Sequence, residues 1–467
     1  MKIPVPDEIL PAAELGRVHL VGIGGAGLSA IARLMHQQGV VVSGSDASDS
    51  AVVQALRGEG ITVHVGHDAA HLDGVDTVVA TTAAREDNPE IVAALERGLR
   101  LWPRSAGLQS VLLGRRVVAV AGTHGKTTTT AMLTVALQEA GLDPTFAIGA
   151  EVASLGTNAR LGSGDVAVVE ADESDGAFLV YTPDVAIVTN VDADHLDHWG
   201  SAEAYDAAFA EFARRARVTI ADLPQLADVV AGFHEGADVR GHDLRVEGGG
   251  TRFGVDARGE ELGEVELAVP GRHYAQDALL ALAAGLELGA DPAALVRGLA
   301  RHRGAKRRME LIGTAGEGAA EIRVYDSYAH HPTEIRGDLE AARSLVAHGS
   351  GRLVVCFQPH LVSRTRIFGA AMGEALGAAD DVVVMDVYVA REDPDPDVTG
   401  ALVASAVPLA ADRVRFVPDR AGVVPTLVEV ARPGDVVLTL GAGDVTALAP
   451  QVLEALRTGT ERGDGPA

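Results

Sequence analysis

Short apolar runs that stop at glycine or at acidic residues recur along the whole chain, separated by segments of helical periodicity. The first, Val18-His-Leu-Val-Gly-Ile23, enters the turn Gly22-Ile-Gly-Gly-Ala-Gly27 and an amphipathic stretch over 28–38. A strand over 40–43 leads into Ser45-Asp46, and further strands are predicted over 61–65 and 77–80. The run Val117-Val-Ala-Val-Ala121 enters a glycine turn and leaves into the helix-compatible Ala131-Met-Leu-Thr-Val-Ala-Leu137. Two more apolar runs have polar exits: Val166-Ala-Val-Val-Glu170 before Ala-Asp-Glu-Ser-Asp175, and Val185-Ala-Ile-Val-Thr-Asn190 before Val-Asp-Ala-Asp-His195. The theme repeats over 353–357, 381–387 and 436–440, where the last strand ends in Gly441-Ala-Gly-Asp444. Strands alternating with helical patterns predict parallel sheets. Three such blocks predict domains over 1–113, 114–309 and 310–467, with a disordered polar tail after Thr458.

Composition narrows the partners more than the fold. The 467 residues leave room for several cores, and a formal charge of -26 argues against nucleic acid and anionic membranes as partners. The single cysteine, Cys356, excludes an intramolecular disulfide and a cysteine-built zinc site. Its apolar neighbours, Leu353-Val-Val-Cys-Phe357, predict a buried thiol. The N-terminus has no apolar signal-peptide core, and no apolar run approaches the roughly 18 residues of a membrane span. A cytoplasmic protein is therefore expected.

The chemistry gathers where strands end, which in open α/β sheets is where ligands bind. Gly122-Thr-His-Gly-Lys-Thr-Thr128 follows a strand and opens a helix, the setting of a phosphate loop. Val120 stands where the longer form of the motif has its first glycine, so the compact form starts at Gly122. Gly122, Thr123, His124, Gly125, Lys126, Thr127 and Thr128 are thus expected to cradle ATP. Lys126 would reach the outer phosphates, and the Thr127 hydroxyl would ligand Mg²⁺. Glu170 completes a fitting donor pair for one magnesium ion, and His195 could hold a second. Lys2, Lys126 and Lys306 are the chain's only lysines, which sets Lys126 apart. The first turn, through Gly22, Gly24, Gly25 and Gly27 with Asp46 downstream, matches a pyrophosphate-binding fingerprint. It fits NAD or a nucleotide-diphosphate sugar equally well. Asp326-Ser-Tyr-Ala-His-His-Pro-Thr-Glu334 offers histidines that can deprotonate an amine, and Arg364 can pair with a carboxylate.

Taken in order, these motifs resemble the Mur ligases of peptidoglycan synthesis, and among them the alanine-adding branch. The similarity runs from about Val18 to Leu453. It implies an α/β fold of three domains: a Rossmann-like N-terminal domain for a UDP-sugar, a central P-loop ATPase-like domain with a mixed sheet, and a Rossmann-like C-terminal domain carrying the amino acid. It further implies an ATP-dependent ligase acting on UDP-N-acetylmuramate and L-alanine, present as a monomer or weak dimer. Carried over by motif, Lys126, His195 and His330 are catalytic, and Thr127, Glu170 and His195 are metal ligands. Thr157 and Asn158 would contact the muramyl group, Arg308 the nucleotide, and Tyr328, His330 and Arg364 the alanine.

Several positions depart from the family pattern. His273-Tyr-Ala-Gln-Asp277 replaces the usual His-Asn-x-x-Asn near the adenine. Leu28, Ser327 and Val362 replace a methionine, an aspartate and a tyrosine. Phe209 stands where other members carry a carbamylated lysine, so no carbamate is expected. The alternative readings are the recycling ligase, which adds a tripeptide to the same sugar nucleotide, an NAD-linked oxidoreductase resting only on the first glycine motif, and a nucleotide-dependent scaffold without turnover.

Overall fold

A computed structural model describes residues 3–81, 84–247, 249–346, 351–390 and 392–461. The chain divides into two compact units. The first holds residues 1–242, 254–265 and 276–302, and the second holds 243–253, 266–275 and 303–467. Three sheets run through them, giving the expected three-part α/β architecture.

The first sheet contains β1 (Val18–Val21), β2 (Val42–Asp46), β3 (Thr62–Val65), β4 (Thr77–Ala80) and β5 (Arg100–Pro103), all parallel, in the order β3-β2-β1-β4-β5. This is the doubly wound order, and its direction reverses between β1 and β4, where such sheets bind ligands. The helices α1 (Ala26–Gln37), α2 (Ala51–Gly58), α3 (Pro89–Glu96) and α4 (Arg104–Leu112) connect the strands. Helix α1 begins at Ala26, two residues before the apolar stretch read from the sequence, because the glycine turn itself makes its first turn.

The second sheet has ten strands in the order β15-β14-β13-β12-β11-β10-β6-β9-β7-β8. At its centre are β6 (Arg116–Ala121), β7 (Thr145–Val152), β8 (Thr157–Arg160), β9 (Val166–Glu170), β10 (Val185–Val188) and β11 (Val218–Ala221). Strands β12 (Val229–Gly232), β13 (Val239–Glu247), β14 (Gly250–Ala257) and β15 (Glu260–Leu267) extend one edge. Strand β6 lies between β9 and β10, parallel to both, so the phosphate loop is flanked by the exits of the two acidic strands. Strand β8 pairs antiparallel with β7, which makes the sheet mixed.

Helix α5 (Lys126–Glu139) starts directly at the lysine, through four consecutive threonines that disfavour helix on propensity alone. Burial overrides propensity here, and two hydroxyls support the helix: Thr130 Oγ1 donates to the Lys126 carbonyl (2.8 Å) and Thr134 Oγ1 to that of Thr130 (2.7 Å). Helices α6 (Leu196–Trp199) and α7 (Ala202–Arg215) follow the second acidic exit. Phe209 on α7 is fully buried, its ring 5.2 Å from that of Phe178 and 5.1 Å from that of Tyr205. Helices α8 (Arg272–Glu287) and α9 (Pro292–Leu299) follow the meander, and α9 packs on α5.

In the second unit, β16 (Glu310–Ala315), β17 (Ile322–Ser327), β18 (Leu353–Phe357), β19 (Asp381–Val384), β20 (Val414–Phe416) and β21 (Val436–Leu440) order as β16-β17-β21-β18-β19-β20. Only β16 is antiparallel to its neighbour. Helices α10 (Pro332–Leu345) and α11 (Val362–Leu376) follow β17 and β18. Cys356 is buried in β18, and burial pushes its thiol up to about 12. The last helix runs Ala449–Glu461, past the point where the tail was expected to loosen; residues 462–467 lie outside the described residues. Among the described residues no helix is long and apolar enough to cross a membrane.

Within the first unit, α1 is fastened to the second sheet by buried polar contacts. Arg33 Nη1 donates to Asn158 Oδ1 (2.6 Å), and Asn158 Nδ2 donates to the Ala26 carbonyl (3.0 Å). Arg33 Nε is also held by Glu59, 2.8 Å away. Removing the Asn158 amide leaves a buried guanidinium N–H without its acceptor, which costs about 1–3 kcal/mol. Asn158→Ala is therefore expected to lower the urea midpoint of this unit; an unchanged midpoint would show that the fastening carries no load.

Candidate functional site

The glycines of the phosphate loop are required by what stands next to them. Gly122 has φ +141°, and a Cβ there would lie 1.9 Å from Thr189 Oγ1. Gly125 has φ +82°, and a Cβ there would lie 2.5 Å from Asp277 Oδ1. The loop is tied to the exit of β10 by several bonds. Asn190 Oδ1 accepts from the His124 N–H (2.9 Å), Asn190 Nδ2 donates to the His124 carbonyl (3.0 Å), and Thr123 Oγ1 donates to the Asp192 carbonyl (2.9 Å). Thr127 and Thr128 are buried in the first turn of α5, whose N–H groups have no helical acceptor and favour an anion.

Lys126 folds back over this loop. Its Nζ donates to the Gly122 carbonyl (2.6 Å) and pairs with Glu173 Oε2 (2.8 Å). Burial opposes its charge, but Glu173 and Asp172 outweigh burial and hold it above the ordinary lysine value. Glu173 is 1% exposed, and its Oε1 lies 3.9 Å from His195 Nε2. Burial pushes this carboxyl up to about 7, against the pull of Lys126 and with Asp172 adding to the rise. His195 sits in the left-handed region (φ +51°), with its N–H on Asp194 Oδ1 (2.8 Å). Glu170 Oε1 accepts from the Gly149 N–H at 2.5 Å.

The sequence left Asp172, Glu173 and Asp194 among a run of acidic residues with no assigned part; here Glu173 and Asp194 are buried beside the lysine and histidine. The oxygen donors Thr127, Glu170 and Glu173 are of the kind a hard cation takes, and His195 adds a ring nitrogen 3.9 Å from Glu173.

At the first turn, the Gly22 and Ile23 N–H groups donate to the Ser45 carbonyl (2.9 and 3.0 Å), and the Gly24 N–H donates to Asp46 Oδ2 (2.9 Å). Asp46 thus shapes the turn, and a Cβ at Gly24 would meet its carboxylate at 2.8 Å. Gly25 caps α1, and at Gly27 a Cβ would lie 3.0 Å from the Arg104 side chain. Arg104 continues to Asp172 Oδ2, 2.8 Å from its Nη2. Arg104 carried no motif signal in the sequence. Thr157 Oγ1 stays within β8, donating to the Ala159 carbonyl (3.2 Å).

In the second unit, Tyr328 and His330 follow the end of β17. The guanidinium carbons of Arg307 and Arg308 lie 4.7 and 5.3 Å from the Tyr328 ring centroid. His330 Nδ1 stands 2.9 Å from the Tyr328 carbonyl, which can only accept, so Nδ1 carries the proton. In the neutral ring this leaves the lone pair on Nε2. The neighbouring His331 caps α10 in a capping box with Glu334. His360 has its ring 6.2 Å from that of His330, and Arg364 is buried in the first turn of α11.

The altered segment 273–277 divides. Asp277 lies against Gly125 in the first unit, while the rings of His273 and Tyr274 lie in the second, tilted by 44° with centroids 4.1 Å apart. Ser327 donates to Asp338, which burial pushes up to about 7. His273, 3.7 Å from Asp338, is pushed down to about 4 by burial and by Arg308.

Asp338 supplies a prediction with a definite sign. Its pKa is about 7 when folded and about 4 when unfolded, so its proton favours the folded chain at low pH. That contribution is complete below about pH 4 and is lost as pH rises through 7. Asn in its place never ionises. The melting temperature of Asp338→Asn relative to the unsubstituted chain should therefore climb by about 2 °C or more between pH 5 and 8 in calorimetry; a pH-independent difference would contradict this.

The chain matches three sequence models: "Mur ligase family, catalytic domain" over residues 17–116, "Mur ligase middle domain" over 120–285, and "Mur ligase, glutamate ligase domain" over 307–443. A UDP-N-acetylmuramate--L-alanine ligase of Nocardioides sp. is 61% identical over 461 residues, covering 98% of this chain and 100% of the relative. The protein of the same name from Cutibacterium acnes is 46% identical, covering 98% and 99%. Among solved structures, a UDP-N-acetylmuramate-alanine ligase from Thermotoga maritima matches with a TM-score of 0.81 at 31% identity, covering 95% of this chain and 99% of that one. A murein peptide ligase from Psychrobacter arcticus matches with a TM-score of 0.71 at 26% identity, with the same coverage.

Proposed function

The chain belongs to the Mur ligase family, and we propose that it joins L-alanine to the lactyl carboxylate of UDP-N-acetylmuramate at the expense of ATP. The observation that carries this reading is one compact unit holding two anion-binding helix starts, α1 and α5, with Arg104 and Asp172 running between them. A nucleotide sugar and a triphosphate are the two anions such a unit would take. The 61% identity to a relative named for alanine favours alanine over the tripeptide of the recycling ligase.

The chemistry follows from the charges. A lactyl carboxylate oxygen attacks the γ-phosphorus, ADP leaves, and an acyl phosphate forms. The neutral amine of alanine then attacks the acyl carbon, and the tetrahedral intermediate expels inorganic phosphate. Lys126 neutralises charge on the transferring phosphoryl group once the triphosphate displaces it from Glu173. Mg²⁺, held by Thr127, Glu170 and His195, would screen the repulsion between the carboxylate and ATP.

The glycine turn with Gly22, Gly24, Gly25 and Gly27 takes the diphosphate of the sugar nucleotide, and Asp46 fixes that turn beside the ribose. Thr157 and Asn158 border the muramyl side, where Asn158 acts by holding α1. Gly122, Thr123, His124, Gly125, Thr127 and Thr128 cradle ATP, and Arg308 contacts the nucleotide. Tyr328 and Arg364 bind alanine, Arg364 through its carboxylate, and the His330 Nε2 lone pair takes the amine proton. The domains read from the sequence, 1–113, 114–309 and 310–467, then divide these tasks. We further propose a cytoplasmic enzyme, active as a monomer or weak dimer.

Phosphate release with UDP-N-acetylmuramate, ATP, Mg²⁺ and each amino acid tests the assignment. L-Alanine should stimulate release and the tripeptide should not; the reverse would select the recycling ligase. Lys126→Ala is expected to lower kcat about 1,000-fold or more with the fold intact, and His330→Ala about 100-fold or more. Near-normal rates in either variant would remove that residue from its role.

A further inference from the structure

Arg104 opens α4 after Pro103, in the sequence Leu101-Trp-Pro-Arg-Ser105, where nothing marks it as functional. Its side chain passes over the first turn of α1. A Cβ on Gly27 would lie 3.0 Å from both its Cδ and its Nη1, so glycine at this position makes room for the arginine. The guanidinium ends on Asp172 at the exit of β9, and 23% of the side chain remains exposed. Arg104 is therefore a cation laid against the helix start that would receive a diphosphate, and its present partner is a carboxylate of the neighbouring site.

We propose that Arg104 is a binding residue for the diphosphate of the sugar nucleotide, with Asp172 occupying the guanidinium until that ligand arrives. The inference rests on the reading of the glycine turn given above. Guanidinium is the fitting group. Nη2 serves Asp172 while Nη1 lies against Gly27, so the planar fork spans from the carboxylate to the helix start that would take the diphosphate. The α1 N–H groups alone offer partial charge, and a full positive charge beside them strengthens the hold on a dianion.

The role separates from a structural one by the sign of two effects. If the Arg104–Asp172 pair merely braces the fold, removing either partner harms binding alike. If Asp172 competes with the diphosphate, removing it frees the arginine. UDP binding by calorimetry, at fixed low salt, is therefore expected to weaken about 10- to 100-fold in Arg104→Ala. It should weaken less in Arg104→Lys and tighten several-fold in Asp172→Asn. Uridine, which lacks phosphate, should bind all four proteins alike. Equal UDP affinity in Arg104→Ala and the unsubstituted chain, or weaker binding in Asp172→Asn, overturns the proposal. Should Arg104→Ala fail to fold, Asp172→Asn and Arg104→Lys still decide it. If the unsubstituted chain itself ignores UDP, the reading of the glycine turn fails instead.

Discussion

A buried lysine cannot keep its charge without a counter-charge, and the site of this protein is built around that requirement. Lys126 is fixed at the start of α5, where the chain must turn sharply, and Glu173 meets it at 2.8 Å. Glu173 in turn stands beside His195 and Asp172, so the exits of β9 and β10 are bound to the loop between them. The steric demands at Gly122 and Gly125 follow from the same crowding, with Thr189 and Asp277 pressed against the backbone. On the proposed function, a triphosphate arriving on α5 would exchange one set of anionic partners of Lys126 for another. The cation is preorganised, and little of its immobilisation remains to be supplied when ligand binds.

The second constraint is distance. A carboxylate on one ligand must reach a phosphorus on another, and misplacement of about 1 Å costs heavily in rate. The first unit meets this with an apolar core shared by its first two sheets and with polar fastenings across it, Arg33 to Asn158 and Asn158 to Ala26. Each joins the glycine-turn side of the unit to the central sheet. Such contacts depend on direction, so they fix register as well as proximity.

Much of this was legible in the sequence because strands ending in glycine or acidic residues announce both the sheet and its ligand edge. The parallel strands β1 to β4, the strand β9 over 166–170 and the glycine turn between β6 and α5 all followed from local pattern, whereas β5 and the strand order did not. Where local propensity misled, tertiary packing decided: α5 begins at Lys126 through a threonine run, and the last helix extends to Glu461. Arg104 was invisible because its meaning lies in Gly27 and Asp172, 77 and 68 positions away. Glu173 looked like one more acid in a polar run, since burial cannot be read from a string of aspartates and glutamates. Asp277 differs again: its departure from the family pattern was plain, but its contact with Gly125 needs the fold.

The central claim is that the sugar-borne carboxylate itself attacks the terminal phosphorus of ATP. Isotope transfer tests it directly, using UDP-N-acetylmuramate labelled with ¹⁸O in both lactyl carboxylate oxygens and unlabelled ATP, alanine and water. The account predicts one ¹⁸O in each inorganic phosphate released and one retained in the amide product. Phosphate free of ¹⁸O, with amide still forming, would contradict it.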